Sequence, residues 1–413
     1  SDFLAHDRPG GDVTLQCFAL QAKLATNAVD AAWVQAATGL WLSADSQPAA
    51  CDPVFTAFAQ RGELTPALRW QRIELAARAG NTGLMRAAAR SLPEAELALI
   101  RDYAAFIDAP HARAAQWPKD ERSRAMAEVG LSRLARRDAG AAERALASNA
   151  ALLPASSREH GAVRAAIALW TAANFGAESA RRLAAVPDAA FDEALHGWAV
   201  REALARGDRA AALKAIERMP AALRANAQWA YFEGRLRVDL GGRRATVPLF
   251  AAAAKSPTFH GFLAADRAGT PYALCPRDPS DDRRIGRDVE RNAALARAIE
   301  LFRIKRPALA ALEWQAAVER MDDTRRVLAV QKAMQARWYD RALFGMPANP
   351  EALQYYTLRF PLHHENLIRR ESRKNGLEPS LVDALTRAES ASMPDARSPA
   401  NARGLMQLLP STA

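Results

Sequence analysis

The chain has 413 residues, of which 50% are hydrophobic, 25% are charged and only 7% are aromatic. This balance excludes a disordered or fibrous protein, and the length predicts two or three domains instead of a single core. The net charge of +10 is carried mostly by arginine. Because no dense run of basic residues occurs, we interpret it as solvated helix surface in preference to a nucleic-acid site.

The sequence predicts no transmembrane segment, because no stretch of 18 apolar residues occurs in it. The first residues, Ser1–Leu4, lack the basic and apolar regions of a signal peptide. We interpret this start as a mature or trimmed N-terminus, which is compatible with export.

The predicted elements are almost all helices, because Ala, Leu, Arg and Glu dominate the sequence. Cys17 and Cys51 lie within the first predicted helices. Their spacing fits a disulfide between two adjacent helical hairpins, which would indicate an oxidising compartment, and it fits two separately buried thiols equally well. Cys275 is predicted to be a loop or packing residue.

Turn signals recur at a regular interval through the middle of the chain. Gly140, Gly176, Gly207 and Gly241 are 36, 31 and 34 residues apart, and each follows an amphipathic run. A glycine is common just after the end of a helix, and a period near 34 residues is typical of repeated helical hairpins. We therefore predict an α-superhelical solenoid over residues 1–282, which ends in the Pro- and Asp-rich stretch 276–282.

Two further helical blocks follow the solenoid. The first, residues 283–350, is predicted as a helical linker domain, and it ends at the helix-breaking stretch Gly-Met-Pro-Ala-Asn-Pro at 345–350. The second, residues 351–413, contains a predicted helix that begins at Pro379, where Pro and Ser together indicate a helix start.

Glu389 is the candidate catalytic residue of that helix. Leu381, Val382 and Leu385 precede it at spacings that share one helix face. A carboxylate that continues an apolar stripe is partly desolvated, which raises its pKa towards the range of a general acid. The alternative is a frayed helix end at which Glu389 points into solvent.

The residues after Glu389 form a motif with fixed spacing: Glu389-Ser390, Ser398, Ala402, Gly404-Leu405-Met406-Gln407, Pro410 and Thr412-Ala413. With this motif the chain resembles the lytic murein transglycosylases of the lysozyme-like type. Two stretches upstream, 259–267 and 359–362, resemble the soluble, superhelical, ring-shaped members. The resemblance implies an all-α protein with a superhelix, a linker domain and a catalytic domain similar to goose-type lysozyme, in the order of the three blocks above.

The resemblance implies cleavage of the bond between N-acetylmuramic acid and N-acetylglucosamine in peptidoglycan, without water, to give 1,6-anhydro products. Glu389 would serve as acid and then as base, and the N-acetyl group of the substrate would assist. Ser398, Gln407, Met406 and Gly404 would bind substrate. No cofactor and no metal site are implied.

The resemblance further implies a periplasmic protein of a Gram-negative bacterium, and it favours the Cys17–Cys51 disulfide over two thiols. Attachment to the outer membrane through an N-terminal segment, penicillin-binding proteins as partners, a monomeric state and no binding of nucleic acid are the associated expectations. Two rival interpretations are a helical-repeat scaffold with a vestigial motif and a helical-repeat nucleic-acid binder.

Three positions differ from the family pattern. Ser392 and Met393 stand where an aromatic residue and an Asn are usual, and Asn401 replaces a Gly, which Asn can do because it tolerates left-handed backbone angles. Only 24 residues follow Glu389, and a later family segment with a Tyr-Asn-Ala-Gly run does not occur. We therefore predict that these 413 residues alone do not complete the substrate cleft and do not turn over substrate.

Overall fold

The structure is a computed structural model, and it describes residues 12–242, 246–362 and 364–413. Over these ranges the chain is built of helices and contains two isolated β-bridges but no strand, so the predicted all-α class is confirmed. Contacts divide the chain into two compact units, one that ends at Thr246 and one that begins at Val247.

The first unit contains a succession of short antiparallel helices. Among the described residues of this unit, turns of 3-10 helix lie at Ala49–Cys51, Ala112–Gln116 and Asp188–Ala190. The α-helices are α1 Val13–Ala25, α2 Ala31–Trp41, α3 Asp52–Gln60, α4 Pro66–Ala79, α5 Thr82–Ala88, α6 Glu94–Asp108, α7 Glu121–Arg137, α8 Ala139–Ser148, α9 Arg158–Ala173, α10 Ser179–Ala184, α11 Glu193–Ala205, α12 Arg209–Glu217, α13 Ala221–Arg224 and α14 Ala227–Asp239.

Most helices of this unit contact the next helix along the chain, and α9 also contacts both α7 and α11. Large apolar side chains within residues 17–167, among them Trp33, Phe58, Phe106 and Leu131, form one buried core, and two smaller clusters follow it along the chain. Helices that contact mainly their neighbours in the sequence form a helical solenoid. The predicted superhelical architecture is therefore confirmed, and its bounds, residues 1–282, stay a prediction.

The predicted role of the glycines holds for Gly207 and Gly241, which follow the ends of α11 and α14 with φ of 76° and 91°. Gly176 also follows a helix end, that of α9 at Ala173, but there Phe175 adopts the left-handed angle, with φ of 51°. The prediction was wrong for Gly140, which lies in the first turn of α8. The reason is that Asp138 ends α7 and its side chain also accepts a hydrogen bond from the Ala141 N–H at 2.8 Å, so α8 begins at once.

A disulfide joins Cys17 of α1 to Cys51 in the turn before α3, with Cα atoms 5.0 Å apart. Both cysteines are fully buried. This confirms the pairing that the family resemblance implied, where the residues alone had left two buried thiols equally open. Cys275 is unpaired and exposed.

The second unit carries the remaining helices and one 3-10 turn, Pro350–Gln354. They are α15 Val247–Ala253, α16 Phe259–Ala268, α17 Arg283–Glu290, α18 Ala293–Arg303, α19 Pro307–Val318, α20 Asp323–Gln335, α21 Arg341–Phe344, α22 Tyr356–Arg359, α23 Glu365–Lys374 and α24 Pro379–Ser390. Its core is centred on Trp338, which stacks on Phe302 at 4.7 Å and meets Trp314 edge-on at 5.5 Å. Within the described ranges, no helix combines the length and the apolar character needed to span a bilayer.

Candidate active site

The candidate site is built on α24 and on the loop that follows it. The helix begins at Pro379, as predicted, and its last residue is Ser390. It ends because Ala391 and Ser392 adopt left-handed angles, with φ of 50° and 63°. Both of these residues are buried, so the chain turns back against the helix directly after Glu389.

Glu389 itself is exposed, in the last turn of α24. Leu381 and Leu385, which share its face, are 60% and 44% exposed, while Thr386 and Ser390 are almost fully buried. The prediction that the leucine stripe desolvates the carboxylate was therefore wrong for the contacts described here. The physical reason is that α24 packs through its Thr386–Ser390 face and leaves the leucine face open.

Hydroxyl groups can line the packed face because they are satisfied locally. The Thr386 hydroxyl lies 2.9 Å from the Val382 carbonyl oxygen, and the Ser390 hydroxyl donates to the Thr386 carbonyl oxygen at 3.0 Å. The Thr386 hydroxyl also lies 3.2 Å from the sulfur of Met406. Met406 thus fixes the loop to the helix that carries Glu389, and it is half-buried there.

Arg387 is a positioning residue that the sequence reasoning missed. Its guanidinium donates to the Arg359 carbonyl oxygen at 3.0 Å and lies 4.8 Å from the centre of the Phe360 ring. Burial, and then the charge of Arg359, lower the pKa of Arg387. The only signal was the Arg-Phe-Pro-Leu stretch at 359–362, which supported the family resemblance but did not predict a contact with α24.

A cavity lies beside α24 in the described part of the second unit. It has a volume of about 360 Å³ and is lined by Phe360, Asp383 and Arg387 among others, and Glu389 does not line it. The described contacts therefore hold α24 through residues other than Glu389 and leave the face with Glu389 exposed to solvent.

The loop after α24 is a compact turn structure that brings the other predicted site residues together. Arg403 forms bridges with Arg397 and with Leu408. Gly404 has φ of 73°, and the Gly404 N–H donates to the Ala396 carbonyl oxygen at 2.9 Å. Asn401 has φ of 66°, so it adopts the left-handed angle that its replacement of Gly requires.

Ser398 and Gln407 make hydrogen bonds inside this loop. The Ala402 N–H donates to the Ser398 hydroxyl oxygen at 3.1 Å. The side-chain amide of Gln407 donates to the carbonyl oxygens of Ala396 at 3.1 Å and Gly404 at 2.9 Å. Each side chain keeps one group for a ligand, because no described residue accepts from the Ser398 hydroxyl or donates to the Gln407 side-chain oxygen.

The arrangement offers the exposed carboxylate of Glu389 on α24, and one hydroxyl donor and one amide acceptor in the loop. Asp395, an acidic residue of the loop, is also exposed and makes no described hydrogen bond. Glu389 is the candidate acid and base because it stands in the Glu-Ser pair of the motif, with Ser398 and Gln407 as candidate polar contacts to a ligand.

Comparison with known proteins identifies two families along the second unit. The Transglycosylase SLT domain matches residues 366–413, and the Soluble lytic murein transglycosylase L domain matches residues 288–348. An inactive glutamate-to-glutamine mutant of the lytic transglycosylase Slt from Pseudomonas aeruginosa has 30% sequence identity and a TM-score of 0.75, over 100% of this chain and 67% of that one. The chain belongs to the soluble lytic murein transglycosylase family.

Other members of the family match over the same length. The 70 kDa soluble lytic transglycosylase of Escherichia coli has a TM-score of 0.82 at 26% identity, over 100% of this chain and 67% of that chain. The soluble lytic murein transglycosylase of Salmonella typhimurium is 28% identical over 409 residues, which are 98% of this chain. The chain spans 62% of the length of that curated relative, and 62% of the curated Escherichia coli one.

Proposed function

We propose that this protein is a lytic transglycosylase that cleaves the glycan strands of peptidoglycan, with Glu389 as its acid and base. The observation that carries the proposal is the SLT domain match over residues 366–413, which includes Glu389 and the loop that is hydrogen-bonded behind it. A related structure, the 70 kDa enzyme in complex with bulgecin A, has a TM-score of 0.81. The inactive relative from Pseudomonas aeruginosa shows that one glutamate is essential in that protein.

In the proposed reaction Glu389 donates its proton to the oxygen that leaves with N-acetylglucosamine, and the bond from that oxygen to C1 of N-acetylmuramic acid breaks. The carboxylate then takes the proton of the C6 hydroxyl of the same sugar while the C1–O6 bond forms. The proton on the enzyme is restored and no water is consumed. Attack within one sugar ring favours this course, because its effective molarity is high.

The polar groups of the loop fit this reaction. The free O–H of Ser398 would donate to the carbonyl oxygen of the substrate N-acetyl group, which assists at C1, and the Gln407 side-chain oxygen would accept from a sugar hydroxyl or N–H. Met406 and Gly404 would shape the wall of the cleft. A glycan strand that lies on Leu381 and Leu385 would also remove water from Glu389.

The remaining expectations belong to the same proposal. We infer a periplasmic location in a Gram-negative bacterium, for which the names of the relatives and the buried Cys17–Cys51 disulfide are the support. The same proposal includes attachment to the outer membrane, penicillin-binding proteins as partners and a monomeric state. It also includes the division into domains at residues 1–282, 283–350 and 351–413.

The test is mass analysis of the products released from purified peptidoglycan. Two proteins are compared: residues 1–413, and the same residues followed by the segment of the Escherichia coli relative that lies beyond its match to this chain. We expect 1,6-anhydro ends from the longer protein only. Glu389→Gln in that protein should lower the rate at least about 100-fold, since it removes the only acid and base.

Asp395→Asn is the matched control, because it makes the same carboxylate-to-amide change in the same loop. We expect it to keep activity and the anhydro product. Hydrolysed ends with a free reducing sugar, or full activity of Glu389→Gln, would refute the proposal. Turnover by residues 1–413 alone would refute the expectation that they do not complete the cleft.

A further inference from the structure

A cavity rich in arginine lies in the first unit, among helices α4, α7 and α9. It has a volume of about 380 Å³ and is lined by Arg78 of α4, by Arg133, Arg136 and Arg137 of α7, and by Trp170 of α9. We call it the arginine cavity. Its acidic lining residue is Glu128.

The positive charge of the arginine cavity is not neutralised by the protein. None of the four guanidinium groups forms an ion pair with a carboxylate of the described residues. Arg133 and Arg137 donate instead to the carbonyl oxygens of Ala79 and Asp108, at 3.5 and 3.4 Å, next to the ends of α4 and α6. Arg78 and Arg136 make no such bond, so their guanidinium groups are available to a ligand.

The other lining groups favour an anion as well. Glu128 is the one carboxyl group among the described lining residues, and burial raises its pKa against the opposing charges of Arg78 and Arg158. Trp170 is half-buried, and the guanidinium of Arg136 lies 5.1 Å from the centre of its ring. The ring holds Arg136 at the cavity and adds a flat apolar wall.

We propose that the arginine cavity is a binding site for the free carboxylate of a peptide, which Arg78 and Arg136 hold. Guanidinium groups suit a carboxylate because they bind it through two parallel N–H donors. The peptide stems of peptidoglycan have this chemistry, and their choice as ligand rests on the proposed function. Bound there, they would hold the substrate at a second place, on helices remote in sequence from Glu389.

The test is the affinity of the 413-residue chain for free stem peptides, measured by calorimetry at low salt. We expect Arg78→Gln together with Arg136→Gln to weaken binding at least about tenfold, because two charged hydrogen-bonding groups are lost. The control is Arg101→Gln with Arg209→Gln. These arginines are 62% and 60% exposed and lie outside the arginine cavity, and the pair removes the same charge. The control should bind within about twofold of the unchanged chain.

Three other ligands separate the possible sources of binding. Stem peptides with amidated carboxylates should bind at least about tenfold more weakly, and glycan strands without peptides and a single-stranded DNA oligonucleotide should not compete. The site is refuted if the stem peptides fail to bind, if both double variants bind alike, if amidation has no effect, or if DNA binds in preference. Glu389→Gln should leave peptide binding unchanged, so failure of the proposed reaction is distinguished from failure of this site.

Discussion

Removal of the Cys17–Cys51 disulfide should destabilise the N-terminal end of the solenoid. The two cysteines are 34 residues apart in the sequence. With that loop length the chain-entropy relation gives about 4 kcal/mol of stabilisation at 25 °C. For a cooperative unit of this size, each kcal/mol corresponds to about 2–4 °C, so the double variant Cys17→Ala, Cys51→Ala should melt about 8–16 °C lower.

The loss should be local, because each hairpin of a solenoid contacts only its neighbours. Helices α1 to α3 should open first, which hydrogen exchange would detect as faster exchange there and unchanged exchange in α9 and α11. Thermal unfolding is followed with and without dithiothreitol. The reductant should lower the melting temperature of the unchanged chain and have no effect on the double variant.

Cys275→Ala serves as the control, since this cysteine is exposed and unpaired. It should melt like the unchanged chain and keep its sensitivity to the reductant. The reasoning is refuted if the double variant melts within about 1 °C of the unchanged chain, or if its hydrogen exchange accelerates equally along the whole unit.

Two further substitutions test the charge and packing arguments. Arg181 and Arg182 lower the pKa of Glu143 from 4.5 to about 2. Its ionised form therefore stabilises the fold above about pH 4.5. The free energies of unfolding of the unchanged chain and of Glu143→Gln, measured with urea, should differ less and less as the pH falls from 4.5 to about 2. A difference that stays constant over this range would contradict the prediction. Gly345→Ala would place a Cβ 2.9 Å from an indole carbon of Trp314 and 2.7 Å from the Arg341 carbonyl oxygen, which should lower the free energy of unfolding by about 1–3 kcal/mol in the same assay. The control is Gly286→Ala, whose Cβ meets nothing within 4 Å and should leave the free energy of unfolding unchanged. Equal unfolding midpoints for the two variants would contradict the packing argument.

Local signals in the sequence predicted the architecture well. Helix starts at proline, turns at glycine and a period near 34 residues depend on neighbours in the chain, and they gave the solenoid, the start of α24 and the left-handed Asn401. The error at Gly140 also has a local cause. Asp138 can end one helix and begin the next, and the pattern of apolar residues does not show which of the two functions a turn residue has.

The face through which α24 packs could not be predicted from the periodicity of its apolar residues. The apolar pattern favoured Leu381 and Leu385 as the buried face. The structure buries Thr386 and Ser390 instead, which is possible because both hydroxyls are bonded to carbonyl oxygens one turn earlier on the same helix. The contact of Arg387 with the Arg359 carbonyl oxygen joins residues 28 apart in the sequence, and no local rule predicts it.

The exposed face with Leu381 and Leu385 is nevertheless relevant to the proposed reaction. Leu381 and Leu385 expose about half of their surface, so a molecule that covers them would gain roughly 2 kcal/mol from apolar burial. The same cover would exclude water from Glu389, one turn along the same face. In the proposed reaction the substrate, and not the contacts of α24 with the rest of the chain, would therefore exclude water from Glu389. The leucines that do not bury Glu389 in the chain alone provide the apolar surface on which that substrate would lie.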